Sequence, residues 1–352
     1  MAHRPYKVAL NGYGRIGRCV LRALHERGAA AGFEIVALND LADQASIEYL
    51  TRFDSTHGRF PGEVSVDGDC LHINGDCVKV LRQREPEGID WAALDIDLVL
   101  ECSGQYTSRG DAERFLAAGA PRVLFSQPMA SEADIDATIV YGVNQQQLSG
   151  REKLVSNASC TTNCGVPLLK LLNEAVGLEY ASITTIHSAM NDQPVIDAYH
   201  HEDLRRTRSA FQSVIPVSTG LARGIERLLP ELAGRIQAKA IRVPTVNVSC
   251  LDITLQTARD TSAEEINRVL REAASAGPLK GLLAYTELPH ASCDFNHDAH
   301  SAIVDGSQTR VSGPRLVNLL AWFDNEWGFA NRMLDVAQHF LDVSAVSNQS
   351  SL

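Results

Sequence analysis

Residues 156–164 read SNASCTTNC, and residues 184–192 read TTIHSAMND. The first stretch places a thiol, Cys160, among hydroxyls and amides. The second places an imidazole, His187, at the end of an apolar run. Ser159 or Asn157 is positioned to cap a helix beginning near Cys160. A thiol at a helix N-terminus has its thiolate stabilised by the dipole and by backbone N–H groups. Polar surroundings are therefore expected to keep the sulfur ionisable and accessible. A thiolate with an imidazole base can add to an electrophilic carbon and move the proton that the addition requires. Cys164 lies one turn deeper, and Cys19, Cys102 and Cys250 lie in apolar runs, so all four suit inert buried thiols. Most isolated histidines are structural as well, and only a cofactor domain beside His187 reverses that reading. Pro167 predicts a kink or a late start in the helix after Cys160.

Such a cofactor domain is written at the N-terminus. NGYGRIG is a GxGxxG pattern at Gly12, Gly14 and Gly17. It lies between a strand-like run, YKVALNG, and a helical run, RIGRCVLRALHERG. In the helix Ile16, Val20, Leu21 and Leu24 recur at helical spacing and Gly28 is the stop. FEIVALND follows as a second strand, so the unit is βαβ and the sheet parallel. In that context Gly12 allows the tight turn, Gly14 lets backbone approach a pyrophosphate, and Gly17 lets helix and strand pack closely. The helix N-terminus then faces the phosphates. Asp40 ends the second strand where a ribose-binding acid is expected. Its charge repels a 2′-phosphate, which favours NAD over NADP.

DLVLECSG, RVLFSQP and ATIVYGVN read as further strands of the same sheet. After SNASC the pattern changes. YASITTIHSAM, AIRVPTVNVSCLDITLQT and HSAIVDGSQTRVSGPRLVNLLAWFDNEWG are longer, β-rich and separated by loops, as in an antiparallel sheet. NEWGFANRMLDVAQHFLD closes the chain as an amphipathic helix, and SAVSNQSSL reads as a flexible tail. The fold class expected is α/β: a Rossmann-type parallel-sheet cofactor domain plus an α+β domain with a mainly antiparallel sheet. The 352 residues are 45% hydrophobic and 21% charged, with a formal net charge of -11. That charge argues against a nucleic-acid or anionic-membrane surface. No run reaches the ~18 apolar residues of a membrane helix. The first residues hold no long apolar h-region, so no secretory signal is read. The eight cysteines are accordingly expected to be reduced, and no Cys/His spacing suggests a metal site.

NGYGRIGR, NDLAD, SNASCTTNC, TTIHSAMNDQ, STG, IRVPTVNVS and WFDNEWG occur in an order that resembles the glyceraldehyde-3-phosphate dehydrogenase superfamily, from about residue 6 to about residue 342. More narrowly, HSAMNDQPVIDAYHHEDLRRTR and FNHDAHSAIVDGSQTRVSG look like its erythrose-4-phosphate dehydrogenase branch. The phosphorylating enzymes commonly carry a phosphate-binding threonine three residues after the catalytic histidine. Here that position is Met190, which cannot donate a hydrogen bond. The resemblance implies an NAD-binding domain at 1–158, joined by a C-terminal helix at 326–352, and a catalytic domain at 159–325. It implies Cys160 as nucleophile and His187 as its activator. Ser159, Thr161, Arg205, Thr219, Gly220 and Arg242 match substrate positions. Arg15, Ile16 and Arg84 match cofactor positions beside the glycines and Asp40, and Asn325 matches the residue that holds the nicotinamide amide. It also implies a cytoplasmic homotetramer.

The implied reaction is oxidation of D-erythrose 4-phosphate to 4-phosphoerythronate, a step toward pyridoxal 5′-phosphate, through a thiohemiacetal and a thioester opened by water. The alternative is a phosphorylating glyceraldehyde-3-phosphate dehydrogenase. Arg205, Arg206 and Arg208, with Arg242, could grip the substrate phosphate bidentately, although Arg206 and Arg208 also fit a solvated charged face. A redox sensor using Cys160 as a switch would need no substrate arginine.

Overall fold

The computed structural model describes residues 4–28, 32–200 and 203–349. The chain divides into two compact units, Met1–Ser159 with Ala330–Leu352, and Cys160–Phe329. In the first, β1 (Tyr6–Asn11), α1 (Arg15–Arg27) and β2 (Phe33–Asn39) form the βαβ opening. Val20 and Leu21 are buried on α1, and Gly28 ends it at φ 65, a conformation that favours glycine. Then come α2 (Gln44–Arg52), the two-residue β3 (Phe53–Asp54) and β4 (Gly58–Arg59), β5 (Val64–Asp67), β6 (Cys70–Ile73) and β7 (Asp76–Leu81). The unit continues with β8 (Leu98–Glu101), α3 (Arg109–Ala117), β9 (Val123–Phe125), β10 (Ala137–Thr138) and β11 (Leu154–Ser156).

The sheet order is β10-β11-β9-β8-β1-β2-β7-β6-β5. All pairs from β10 to β7 are parallel; β6 and β5 add an antiparallel edge. The chain leaves β1 toward β2 and returns through β8 on its other side. Strand order thus reverses at β1, and the carboxyl ends of β1 and β8 open a crevice. On the α3 side Phe115 is fully buried, edge-on to Tyr106 at 5.0 Å and to Phe125 at 6.4 Å. Burying such a ring contributes about 1.5–3 kcal/mol.

The second unit holds α4 (Cys160–Val176), β12 (Leu178–His187), β13 (Ile215–Val217), α5 (Leu221–Leu228), β14 (Ile236–Arg242), β15 (Ser249–Thr257), α6 (Ala263–Ser275), β16 (Leu283–Thr286), β17 (Ala302–Asp305), β18 (Arg310–Ser312) and β19 (Leu316–Phe323). The sheet runs β13-β14-β12-β15-β19-β17-β16, with β18 on β19. It is mostly antiparallel, but β12–β14 and β16–β17 pair in parallel. β12 and β15 alternate buried and less buried residues, as strands with one covered face do. α4 packs on β12, β15 and β19.

Several expectations need correction. ATIVYGVN contributes only the two residues of β10, because Val140 turns the chain and Asn144 Oδ1 takes its N–H at 2.8 Å. α4 starts at Cys160 and runs through Pro167 with no late start; proline there only forgoes one donor to the preceding turn. The last helix, α7 (Trp327–Gln349), is not amphipathic at its start. Every residue from Trp327 to Leu334 is buried. Its polar members are paired: Arg332 meets Asp335 at 2.6 Å, and Asn331 Oδ1 accepts from Arg27 at 2.8 Å. Part of the expected flexible tail continues α7 to Gln349, and the rest lies outside the described residues. Cys70 and Cys77 form a disulfide rather than two free thiols. They sit diagonally across the β6–β7 hairpin with Cα atoms 5.3 Å apart, within bridging reach. Among the described residues no helix is long and apolar enough to cross a membrane.

Candidate active site and cofactor cleft

A sharp turn sets up the thiol. β11 ends at Ser156, whose hydroxyl accepts from the N–H of Ala158 at 3.1 Å. Ala158 takes φ +56, a left-handed conformation uncommon outside glycine. α4 then opens on Cys160 itself. Its Sγ lies 3.9 Å from Nε2 of His187, the last residue of β12. His187 is buried, and its Nδ1–H donates to the Ser188 carbonyl at 2.8 Å. That bond fixes the tautomer, leaving the Nε2 lone pair for the thiol proton.

The charge state differs from the one expected for a thiol in polar company. Burial pushes the Cys160 thiol up to about 11, against the pull of the Thr161 N–H and the Arg242 guanidinium; Asp324 adds to the rise. Burial, with Arg242 nearby, pushes His187 down to about 4. The resting pair is a neutral thiol beside a neutral imidazole. Cys164 is fully buried and its thiol is raised further, as an inert thiol should be.

Arg242 ends β14 directly beside His187 in the parallel register. It is 9% exposed, and burial lowers its pKa. Asp192 links it to the arginine run: the carboxylate lies 3.9 Å from Arg242 and 3.0 Å from Arg206. Arg205 is exposed on the short turn Leu204–Thr207, and Arg208 pairs with Asp197 at the surface. The geometry thus brings Arg206 to Arg242 through Asp192. Sequence reasoning did not single out Asp192, and its place in a loop two residues before Pro194 gave no signal. Ser159 and Thr161 flank Cys160, both half-buried. Thr219 Oγ1 accepts from the Leu221 N–H at 3.2 Å just before α5, and Gly220, its N-cap, is exposed with open space where a Cβ would stand.

Asn325 is held firmly. Its Oδ1 accepts from the hydroxyls of Ser188 at 3.0 Å and Ser249 at 2.8 Å, which commits the Nδ2 end to donating. Ser249 follows Val248, a buried β-branched residue at φ +65. That is a strained conformation. The neighbouring Asp324 carboxylate accepts from Asn247 Nδ2 at 2.8 Å and the Trp327 N–H at 2.7 Å.

In the other unit the carboxyl ends of β1, β2, β7 and β8 frame a cavity of about 490 Å³. Gly12 takes φ +89, and a Cβ there would stand 2.5 Å from the Ser103 backbone nitrogen. A Cβ on Gly17 would stand 2.2 Å from the Gly12 carbonyl oxygen; one on Gly14 would meet nothing within 4 Å. Gly14, the N-cap of α1, has no side chain to cap the helix, and a helix N-terminus favours an anion. Asp40 lines the cavity and accepts from the Tyr13 N–H at 2.7 Å, so it also braces the glycine loop. Arg84 lines the cavity as well. Ile16 is half-buried in the first turn of α1, and Arg15 forms a two-pronged pair with Asp54 at 2.5 and 3.2 Å. Gln83, Ser103 and Tyr106 are lining residues that the motif search missed. Position was the one signal for Ser103 and Tyr106, at the end of the DLVLECSG run and just beyond it; Gln83 follows β7, which the sequence reading did not predict. An uncapped helix end, an open Gly14 and an acid at the second strand fit a dinucleotide.

Residues 6–109 match the family model described as glyceraldehyde 3-phosphate dehydrogenase, NAD binding domain, and residues 159–325 match glyceraldehyde 3-phosphate dehydrogenase, C-terminal domain. The first takes in the glycine loop and Asp40, the second Cys160, His187 and Arg242. With both halves matched in order, the chain belongs to the glyceraldehyde-3-phosphate dehydrogenase superfamily of NAD-dependent oxidoreductases that act on an aldehyde.

Proposed function

We propose that the chain oxidises D-erythrose 4-phosphate to 4-phospho-D-erythronate with NAD, and that water rather than inorganic phosphate opens the intermediate. The observation that carries the aldehyde chemistry is the 3.9 Å approach of the Cys160 thiol to an imidazole whose tautomer leaves Nε2 free to accept. As Sγ bonds to the aldehyde carbon, its proton passes by way of Nε2 to the carbonyl oxygen, giving a hemithioacetal. Bound NAD supplies the acceptor for the hydride that leaves this carbon. His187 Nε2 takes the hydroxyl proton as the carbon–oxygen double bond forms, and Cys160 then holds a thioester. Having passed that proton on, Nε2 takes another from an attacking water. The carbon–sulfur bond breaks, the acid departs, and the sulfur regains a proton from the imidazole.

Arg242, buried and steadied by Asp192, is the cation for the substrate's phosphate ester, with Ser159, Thr161, Thr219, Gly220 and the arginines of the 205–208 run around the substrate. Asn325 presents its Nδ2 donor to the nicotinamide carboxamide. In the other unit Gly12, Gly14, Gly17, Arg15, Ile16, Asp40 and Arg84 hold the dinucleotide. The choice of the four-carbon sugar rests on Met190, a thioether where the phosphorylating relatives place a hydroxyl; a phosphate dianion is poorly held where a donor is missing. The reading includes a homotetramer in the cytoplasm. An exposed apolar stretch supports self-association: Val195, Ile196, Tyr199, Leu204 and Val214 are all exposed, more than an isolated surface loop commonly shows.

The test is NADH formation from erythrose 4-phosphate and from glyceraldehyde 3-phosphate across a phosphate series, with the product identified. Free acid formed from the four-carbon sugar without phosphate supports the reading. A strict phosphate requirement with an acyl phosphate as product replaces it with the phosphorylating enzyme.

A further inference from the structure

A fully buried carboxyl, Glu101, lies at the end of β8, and the catalytic chemistry does not use it. Three donors converge on its two oxygens: Asn11 Nδ2, the Ser103 hydroxyl, and the Ser103 N–H at 2.7 Å. From Asn11 the contacts continue in one direction across the strand ends. Asn39 Nδ2 donates to Asn11 Oδ1 at 2.7 Å. Asn39 is in turn locked to the backbone of Gln83, whose N–H donates to its Oδ1 and whose carbonyl accepts from its Nδ2, each at 2.8 Å. Asn11, Asn39, Gln83 and Ser103 all line the 490 Å³ cavity. The Ser103 backbone is also the surface against which Gly12 packs.

We propose that Glu101 is a positioning residue of the NAD cleft, its carboxylate terminating a one-way hydrogen-bond ladder that orients Asn11, Asn39 and the Ser103 backbone on the cleft floor. The direction is set at both ends. At one end Gln83 offers a fixed donor and a fixed acceptor, so Asn39 cannot turn over without facing like against like. At the other, Asn11 Nδ2 and the Ser103 N–H can only donate, one to each oxygen. A protonated Glu101 cannot aim its O–H at Asn11, because turning Asn11 to accept it would set Asn11 Nδ2 against Asn39 Nδ2. Its one acceptor is the Ser103 hydroxyl, and Oε1 then becomes a hydroxyl oxygen that holds the Ser103 N–H more weakly than a carboxylate oxygen does. The ladder is at full strength only with the carboxylate ionised.

Burial opposes ionisation and raises Glu101 from its ordinary value to about 7, against the pull of Ser103 and Asn11. The titratable neighbours it faces are Cys102 and Tyr106; burial first, and then the Glu101 charge, raises both, so neither is charged near neutrality. β1 and β9 oppose it with Asn11 and Phe125, neither charged. Ionisation is therefore gained as pH rises through about 7 and lost below it. This inference concerns the cleft alone and stands whichever aldehyde is oxidised.

The probe is ADP-ribose, which lacks the nicotinamide and so does not report on Cys160 or His187, with NAD in parallel. Calorimetric titration across roughly pH 6–9 should show wild-type affinity falling about tenfold as the ladder is broken, with a midpoint near 7. Glu101→Gln, which places an amide donor against either Asn11 or the Ser103 N–H, should bind about tenfold more weakly at the alkaline end and lose the pH response. Glu101→Asp should recover part of that response. Ser103→Ala removes a donor to the anion and should move the wild-type midpoint upward. A wild-type affinity that is flat with pH, or that strengthens as pH falls, overturns the proposal, as does a folded Glu101→Gln that binds like wild type. If Glu101→Gln does not fold, the Ser103→Ala midpoint decides, and an unmoved midpoint overturns it.

Discussion

The three glycines of the NGYGRIG loop make separable predictions. At Gly17 a methyl group would stand 2.2 Å from the Gly12 carbonyl oxygen, a backbone atom that cannot rotate away. α1 must move off β1, and overpacking of this kind costs about 1–3 kcal/mol. At Gly12 the methyl would stand 2.5 Å from the Ser103 nitrogen, at φ +89. That substitution adds backbone strain of about 1 kcal/mol or more to the clash. At Gly14 the methyl meets nothing within 4 Å, and φ is -73. Its cost to the fold is under about 1 kcal/mol, the difference between glycine and alanine as a helix cap. Yet its methyl would stand at the uncapped start of α1, where a pyrophosphate must come close. Loss of one hydrogen bond to a charged group weakens binding roughly 10- to 150-fold. Thermal melts and NAD titrations of the three alanine variants should therefore diverge. Gly17→Ala should melt several degrees lower, at about 2–4 °C per kcal/mol; Gly14→Ala should melt close to wild type and bind NAD poorly. A Gly14→Ala protein that melts as low as Gly17→Ala, or binds NAD as wild type does, would refute this division of labour.

Cys160→Ala should abolish aldehyde oxidation in a steady-state assay while NAD titrations stay close to wild type, since the thiol serves the covalent step alone. Iodoacetamide labelling of Cys160 should climb about tenfold per pH unit, as thiolate fraction does, and reach no plateau short of a thiol held near 11. Arg242→Gln removes a cation that pulls that value down, so labelling at any fixed pH should slow several-fold. His187 is uncharged near neutrality, so His187→Asn should leave the labelling profile in place while slowing hydride transfer about a hundredfold. Asp40→Asn keeps an acceptor for the Tyr13 N–H but removes the charge, so the ratio of kcat/KM for NAD over NADP should fall.

The parallel-sheet unit was legible because its signals are local. A strand, a glycine loop and a helix between Tyr6 and Gly28 each carry their own pattern, and GxGxxG has a specific meaning only between the other two. What escaped the sequence depends on distant partners. The start of α7 reads as two-faced because Asn331, Arg332 and Asp335 are polar, but Arg27 meets that polar side and the helix is buried. The Cys70–Cys77 bridge follows from a hairpin register that places both thiols on one face, whereas counting cysteines reports only on compartment.

The same distinction explains why the ionisation state of Cys160 was misread. Its chain neighbours are polar, and from them alone a stabilised thiolate is the natural inference. The sulfur's surroundings, however, come from the ends of β12 and β14 and from residue 324, which are remote in sequence. Burial there penalises any net charge, so both partners of the pair stay neutral, one shifted to about 11 and the other to about 4. Passing the proton from Sγ to Nε2 leaves the total charge of the pair unchanged, and Arg242 favours the thiolate while opposing the imidazolium. The thiolate is thus scarce at rest. It is drawn off when a carbonyl carbon arrives to bond with it, because the resulting adduct carries no charge on sulfur and the buried site no longer opposes the transfer.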